Sequence, residues 1–319
     1  MVGTEFCVTD DWRCLDLWIR HIVDRKVRKL SLEMHNTCPY YFVLGRSLVS
    51  QHLTTLVLLG VEIAGNFCNF SNSPNLEHLE IAHCRIGTSN QISSEFLKHL
   101  SFTGGSYFVD NYILISVPNL VSLRLDMHLD TVPILGSMPM LKEAFVREAT
   151  NDDCVYGDCF TSDGVDELDN KCCLLEGLSN AENLALMSDY ERAVFIRDLE
   201  WCLTFGNLRI LLLNESWCVD PDFNALTCIL KHSPVLETLT LQLFSEGPNH
   251  NVEMIGRHHQ IERSATISKH LKTVEVKCSM LDEKIHKVLK FFGALGISKR
   301  ITSTLDAEVS FLYATQNKH

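Results

Sequence analysis

Leu76-Glu-His-Leu79-Glu-Ile81-Ala-His-Cys84-Arg-Ile86 carries apolar residues at its first, fourth, sixth and eleventh positions and a cysteine at its ninth. Around the fourth to sixth residues the side chains alternate apolar, polar, apolar, the period of a strand with one face buried. The first six positions recur down the chain. They return as Val27-Arg-Lys-Leu30-Ser-Leu32, Leu53-Thr-Thr-Leu56-Val-Leu58, Leu97-Lys-His-Leu100-Ser-Phe102, Leu120-Val-Ser-Leu123-Arg-Leu125 and a weaker Leu141-Lys-Glu-Ala144-Phe-Val146. Four more copies start at Ala181, Leu208, Leu236 and Leu271. Successive starts are 26, 23, 21, 23, 21, 40, 27, 28 and 35 residues apart.

Most of these spacings fall in or near the 20–29 residue window of leucine-rich repeats, and the Leu76 copy fills the whole pattern L-x-x-L-x-L-x-x-N/C-x-L. One such match means little; ten in register predict an α/β leucine-rich repeat solenoid, a curved parallel sheet of about ten repeats. Each strand must be followed by a return segment, and no repeat buries its apolar edge alone, so stacked neighbours share one core. Pro74, Pro118, Pro139 and Pro234 each stand two residues before a first anchor, where a fixed φ and a missing N–H end the return without removing a ladder bond. Helical caps are expected at both ends. Asp11–Asp24 puts Leu15, Trp18, Ile19, Ile22 and Val23 on one face, and Asp282–Leu295 does the same with Ile285, Val288, Leu289, Phe292 and Leu295. The organisation read from this is a capping helix in 1–26, repeats over 27–265, and a last strand with a C-terminal cap over 266–319.

The chain has 319 residues, 46% hydrophobic and 21% charged, with 28 Lys and Arg against 40 Asp and Glu, a net charge of −12. That balance opposes general binding to nucleic acid or anionic membranes, and no apolar stretch is long enough to span a bilayer. Met1–Asp11 lacks the basic and apolar regions of a signal peptide, so the thirteen cysteines read as thiols and the compartment as cytoplasmic or nuclear. Cys154, Cys159, Cys172 and Cys173 have spacings that suit a tetrahedral zinc site poorly, and His258-His259 lacks a helical ligand spacing. Cys84 reads as a small buried hydrophobe. No nucleophile elbow, phosphate loop or dinucleotide fingerprint occurs. The expectation is a protein without enzymatic activity, metal or cofactor.

In each phrase the third, fifth and seventh residues point away from the core and line the concave face. Glu80, Arg124, Asp126 and Arg147 supply its charge, and Phe145, Met187, Ile210 and Leu212 an apolar patch from adjacent strands, the candidate site for a protein partner. Leu208-Arg-Ile-Leu-Leu-Leu213 is apolar on both faces, the pattern of a strand covered on both sides. Thr150–Asn170 holds Asp152, Asp153, Asp158, Asp163, Asp166, Glu167 and Asp169 without a Lys or Arg. It reads as an acidic insertion that either lies over the patch or forms part of the partner site. Ser245–Arg263 reads as a second, polar loop.

Three phrases carry a resemblance to the repeat region of plant F-box/LRR/FBD proteins. Leu17-Trp18-Ile19-Arg20 followed by Val27-Arg-Lys-Leu30 is similar to that family's leading helix and first strand. Ser73-Pro-Asn-Leu-Glu-His-Leu-Glu-Ile-Ala-His-Cys84 and Ser233-Pro-Val-Leu-Glu-Thr-Leu-Thr-Leu241 resemble its repeats. His270-Leu-Lys-Thr-Val-Glu-Val-Lys277, with a helix after it, looks like the opening of its FBD segment. The resemblance implies the substrate-recognition half of an SCF-type ubiquitin ligase. About a dozen residues precede the leading helix, too few for an F-box, so the chain as it stands is expected not to bind a Skp-type adaptor unless an F-box lies upstream. The alternative is an F-box-less decoy or truncated product. The tail after Phe292 also departs from the usual FBD ending.

Overall fold

A computed structural model describes residues 18–19, 21–34, 42–86, 91–103, 107–108, 113–128, 133–149, 174–188, 195, 198–199, 203–218, 223–244, 270–278, 283–294 and 299–302. Its backbone is one sheet of eleven parallel strands in sequence order: β1 (Lys29–Glu33), β2 (Thr55–Leu59), β3 (His78–Ala82), β4 (His99–Thr103), β5 (Ser122–His128), β6 (Glu143–Ala149), β7 (Asn183–Ser188), β8 (Ile210–Asn214), β9 (Thr238–Leu243), β10 (Thr273–Cys278) and β11 (Lys299–Thr302). The ten phrases occupy β1–β10 without a slip. Leu56 pairs with Leu30 and Leu79, Leu100 with Leu79 and Leu123, Leu211 with Leu184 and Leu239, and Leu239 with Val274. Every fourth and sixth residue of the ten phrases is buried. A one-residue slip would turn such a row to solvent, so the apolar alternation fixes the register. The eleventh strand has no leucine phrase and was not expected. It continues the ladder by pairing Lys299 with Val274 and Ile301 with Val276.

Turns before the strands repeat as regularly as the strands. The N–H of the first anchor donates to the carbonyl three residues back: Leu76 to Ser73, Leu120 to Val117 and Leu141 to Met138 at 3.1 Å each, and Leu236 to Ser233 at 3.2 Å. The four prolines named above sit second in these turns, the position their fixed φ suits. In two turns without a proline a buried serine takes over: Ser50 Oγ accepts from Leu53 N–H at 3.1 Å, and Ser94 Oγ from Leu97 N–H at 3.2 Å. Asn75 and Asn119 then tie each turn to the one before, their amides donating to the Gln51 and Glu95 carbonyls at 2.7 Å.

Two kinds of return segment close the core. Between β1 and β6 the described returns are short parallel strands. Phe42–Leu44, Val61–Ile63, Arg85–Ile86 and Tyr107–Phe108 form one ribbon, and Gln91–Ser93, Leu114–Ser116 and Ile134–Leu135 another. Beyond β6 they are helical: α1 (Leu174–Gly177), α2 (Asn224–Lys231) and α3 (Glu283–Ala294), with a 3₁₀ turn at Glu215–Cys218. Large aromatic side chains pack under these segments. Trp217, Phe195, Phe205 and Phe292 are fully buried there, with the Phe195 and Trp217 rings 5.5 Å apart. Asp198, itself buried, accepts the Leu175 N–H at 2.9 Å and fixes the start of α1.

Of the expected N-terminal helix, residues 18–19 and 21–24 are helical. Ile19 is buried, and Trp18, Ile22 and Val23 pack on the core. The C-terminal helix buries Ile285, Val288 and Phe292. Residues 1–17, the Thr150–Asn170 insertion and the Ser245–Arg263 loop lie outside the described residues.

Candidate protein-binding face

Because the fourth and sixth residues of each phrase point into the core, the third, fifth and seventh share the opposite face of the sheet. Parallel pairing sets like positions side by side, so this face is a grid. Its side chains interlock on β5 and β6. Arg124 pairs in register with Phe145, and Asp126 with Arg147; Phe145 pairs with Ala185, and Arg147 with Met187. Arg124 donates to Asp126 Oδ2 at 2.9 Å, while its guanidinium carbon lies 4.1 Å from the centre of the Phe145 ring. The pair holds the guanidinium over the ring, and the contact is worth about 0.5–1 kcal/mol at such partly exposed positions. Phe145 and Met187 are half-buried, and Arg147 is exposed.

Five of the eight sequence-predicted residues therefore fall together: Arg124, Asp126, Phe145, Arg147 and Met187. Ile210 stands beside Asn183 at the start of β8 and is 37% exposed. Glu80 lies apart on β3, three strands from Phe145, between Val57 and Ser101.

Leu212 does not behave as a surface residue. It is 2% exposed, although its position faces away from the core. Its neighbours in the same rows, Thr240, Asn214 and Gln242, are buried as well. Asn214 is spent on the backbone: its amide donates to the Ser188 carbonyl at 2.7 Å and accepts the Ser188 N–H at 3.2 Å. The grid is thus largely open over β1–β7 and closed at the fifth and seventh positions of β8 and β9, with Ile210 at the start of β8 still exposed, and the expected four-residue apolar patch is cut at Leu212. The both-sided apolar pattern of that strand was the signal for closure.

Sequence reading passed over His99. It stacks on His78 with ring centres 4.4 Å apart and planes 2° apart, both at the third position of their phrases. Burial, then the charge of His78, lowers the His99 pKa below the ordinary imidazole value. One row earlier Glu77 bonds to Lys98, which lowers its carboxyl pKa. Across the other half Glu237 takes Lys272 at 2.8 Å and Arg209 at 3.0 Å, with the same direction of shift.

Cys84 is no nucleophile. Its buried Sγ donates to the Ala82 and Leu58 carbonyls at 3.2 and 3.4 Å, and burial pushes its pKa up. Among the described residues no group of three or more His, Cys, Asp or Glu side chains is placed to hold a metal ion, and no helix is long and apolar enough to cross a membrane. Cys154, Cys159, Cys172, Cys173, His258 and His259 lie outside the described residues. In comparisons with known proteins, residues 46–281 match the family described as the At1g61320/AtMIF1 LRR domain. No curated protein and no solved structure gives a significant match.

Proposed function

This chain belongs to the At1g61320/AtMIF1 leucine-rich repeat domain family, and from that premise we propose that it is a non-enzymatic module binding another protein on the open face of β1–β7. The supporting observation is the Arg124–Asp126–Phe145 arrangement with Arg147 and Met187 beside it: aromatic, aliphatic and charged groups held on rigid strands, the mixture that interface centres favour. A substrate-recognition role of the SCF ubiquitin-ligase kind, in cytoplasm or nucleus, rests on the resemblance of the repeats and of the segment from His270 to F-box/LRR/FBD proteins. It requires a Skp-docking F-box on the same polypeptide.

Cross-linking a captured partner and mapping the linked positions tests the reading. Links at β1–β7, lost in Arg124→Glu without a change in melting temperature, are expected. Links confined to the return segments would refute it.

A further inference from the structure

One row of the open face is polar from end to end. The third positions of β2–β7 are Thr55, His78, His99, Ser122, Glu143 and Asn183, each paired in register with the next. Every one of these side chains can accept a hydrogen bond. Among the described residues, none of the six is hydrogen-bonded or ion-paired through its side chain. The rows around it are different. At the second positions Glu77 is taken by Lys98, and Glu237 by Arg209 and Lys272. At the fifth and seventh, Arg124 is taken by Asp126. Glu80, two residues beyond His78 on the same face, is likewise unpaired among the described residues.

The two histidines add no fixed cation to this row. They stack with ring centres 4.4 Å apart, and burial, then the charge of His78, opposes protonation of His99. The charged groups around the pair are Glu77 and Glu80 on β3, Lys98 on β4, Arg124 on β5 and Glu143 on β6, while β2 offers Thr55 and Val57. Lys98 and Arg124 are held by Glu77 and Asp126, so the charge left over is that of Glu80 and Glu143. Lys29 and Ile210 end the row at β1 and β8. We propose that this row, with Glu80, is the track of a basic segment of the partner protein, held while the two imidazoles are uncharged and released as they take up protons. The proposal rests on the reading above that a protein binds this face, and adds the chemistry of the segment and its proton dependence. Glu80 and Glu143 stand three strands apart, about 14 Å at the usual strand spacing, which an extended chain covers in about four residues. The two bases of the segment are spaced accordingly. Acid reverses the local field, because two stacked cations repel each other and the bases above them.

The test titrates the full chain, at low salt, into a fluorescein-labelled peptide with two arginines four residues apart in a Ser-Gly background, and into its glutamate counterpart, and reads fluorescence polarisation. The arginine peptide is expected to bind at pH 7.5 and the glutamate peptide not. Glu80→Gln and Glu143→Gln should each weaken binding about two- to fivefold, the range of exposed ion pairs, at an unchanged melting temperature. Glu176→Gln, which removes the same charge from α1, should not. Between pH 7.5 and 5.5 carboxylates stay ionised, while imidazoles, with an ordinary pKa of about 6.5, take up protons. Over that interval binding should fall at least about threefold, and the fall should vanish in His78→Asn with His99→Asn. Equal weakening in Glu176→Gln, or tighter binding in acid, would overturn the proposal. Binding of the glutamate peptide alone, lost in Arg124→Glu, would overturn the basic track and leave the broader reading in place. Failure of both peptides to bind would also overturn the track, and the cross-links of the captured partner decide the broader reading independently.

Discussion

The strand-return half of the molecule, β1 to β6, and the helix-return half, β6 to β11, solve the same problem with different amounts of chain. In the first, spacings of 21 to 26 residues leave room only for a turn and a two- or three-residue strand. In the second, spacings of 27 to 40 residues accommodate α1, α2 and the 3₁₀ turn, with Trp217, Phe195 and Phe205 buried among them. The strands themselves do not register the change: Val146 is buried beside Leu125 of one half and Leu186 of the other. The inward ladder specifies the fold, and the return segments only have to cover it. The two halves also differ on the outer face, largely open as far as β7 and closed at Leu212, Asn214, Thr240 and Gln242 of β8 and β9.

The largest test of this comparison removes the same inward position from each half. Leu79→Ala and Leu239→Ala should each cost about 2–5 kcal/mol in urea unfolding, because both side chains sit in one continuous core. If either were nearly silent, the halves would not share that core.

Next come two glycines that do different jobs. Gly60 has φ +70° at the end of β2, and a Cβ there would collide with the Met34 carbonyl. Gly60→Ala should cost more than about 1 kcal/mol, because the backbone itself must move. His83 holds the equivalent position after β3 at φ +50°, so His83→Gly should be neutral or stabilising by up to about 1 kcal/mol. In the helical half Gly177 is needed for space: an added Cβ meets the Leu135 side chain. Gly177→Ala should cost about 1–3 kcal/mol by overpacking. Thermal melts of the three variants separate conformational from steric need.

Asparagine gives a finer contrast. Asn214→Ala removes two hydrogen bonds to the buried Ser188 backbone, whose carbonyl keeps the Ser216 hydroxyl, and should cost about 1–3 kcal/mol. Asn75→Ala frees only the exposed Gln51 carbonyl to water, and about 0.5–1 kcal/mol is expected.

Acid should affect both halves through Glu77 and Glu237, whose carboxyl pKa values are lowered by their lysine partners. Each pair contributes stability that is present above the ordinary carboxylate pKa of about 4.3. It is lost as pH falls through the lower folded value. Glu237→Gln should flatten the acid limb of the melting curve, and high salt should shrink the difference because the pair is exposed. The smallest effect belongs to Glu80→Ala on the open face, under about 0.5 kcal/mol. A larger loss there than at Leu79 would mean that the strand is turned over.

The ladder was legible in the sequence because leucine at fixed offsets leaves a strand only one way to bury its side chains. β11 was not, since Lys299-Arg-Ile-Thr pairs a lysine with Val274 and has no first anchor. The serine and asparagine ties of the turns were illegible for another reason: single polar residues acquire meaning only once stacking brings consecutive turns together. Parity along β8 gave the direction in which Leu212 points but not what surrounds it, so this residue was expected on an open patch that it does not join.

One consequence follows from the tie between anchor and strand. Loop-closure cost rises by only about 0.6 kcal/mol for each doubling of length, so the step from a 21-residue to a 40-residue spacing is thermodynamically minor. Length between anchors is a free variable of this architecture. Parity within a strand is not: one residue added inside β7 would turn Leu184 and Leu186 to solvent, whereas many added before Ala181 would be absorbed. Insertions, whether evolved or engineered, therefore belong ahead of the turn, where the chain can bulge outward and re-enter the ladder at the same tooth.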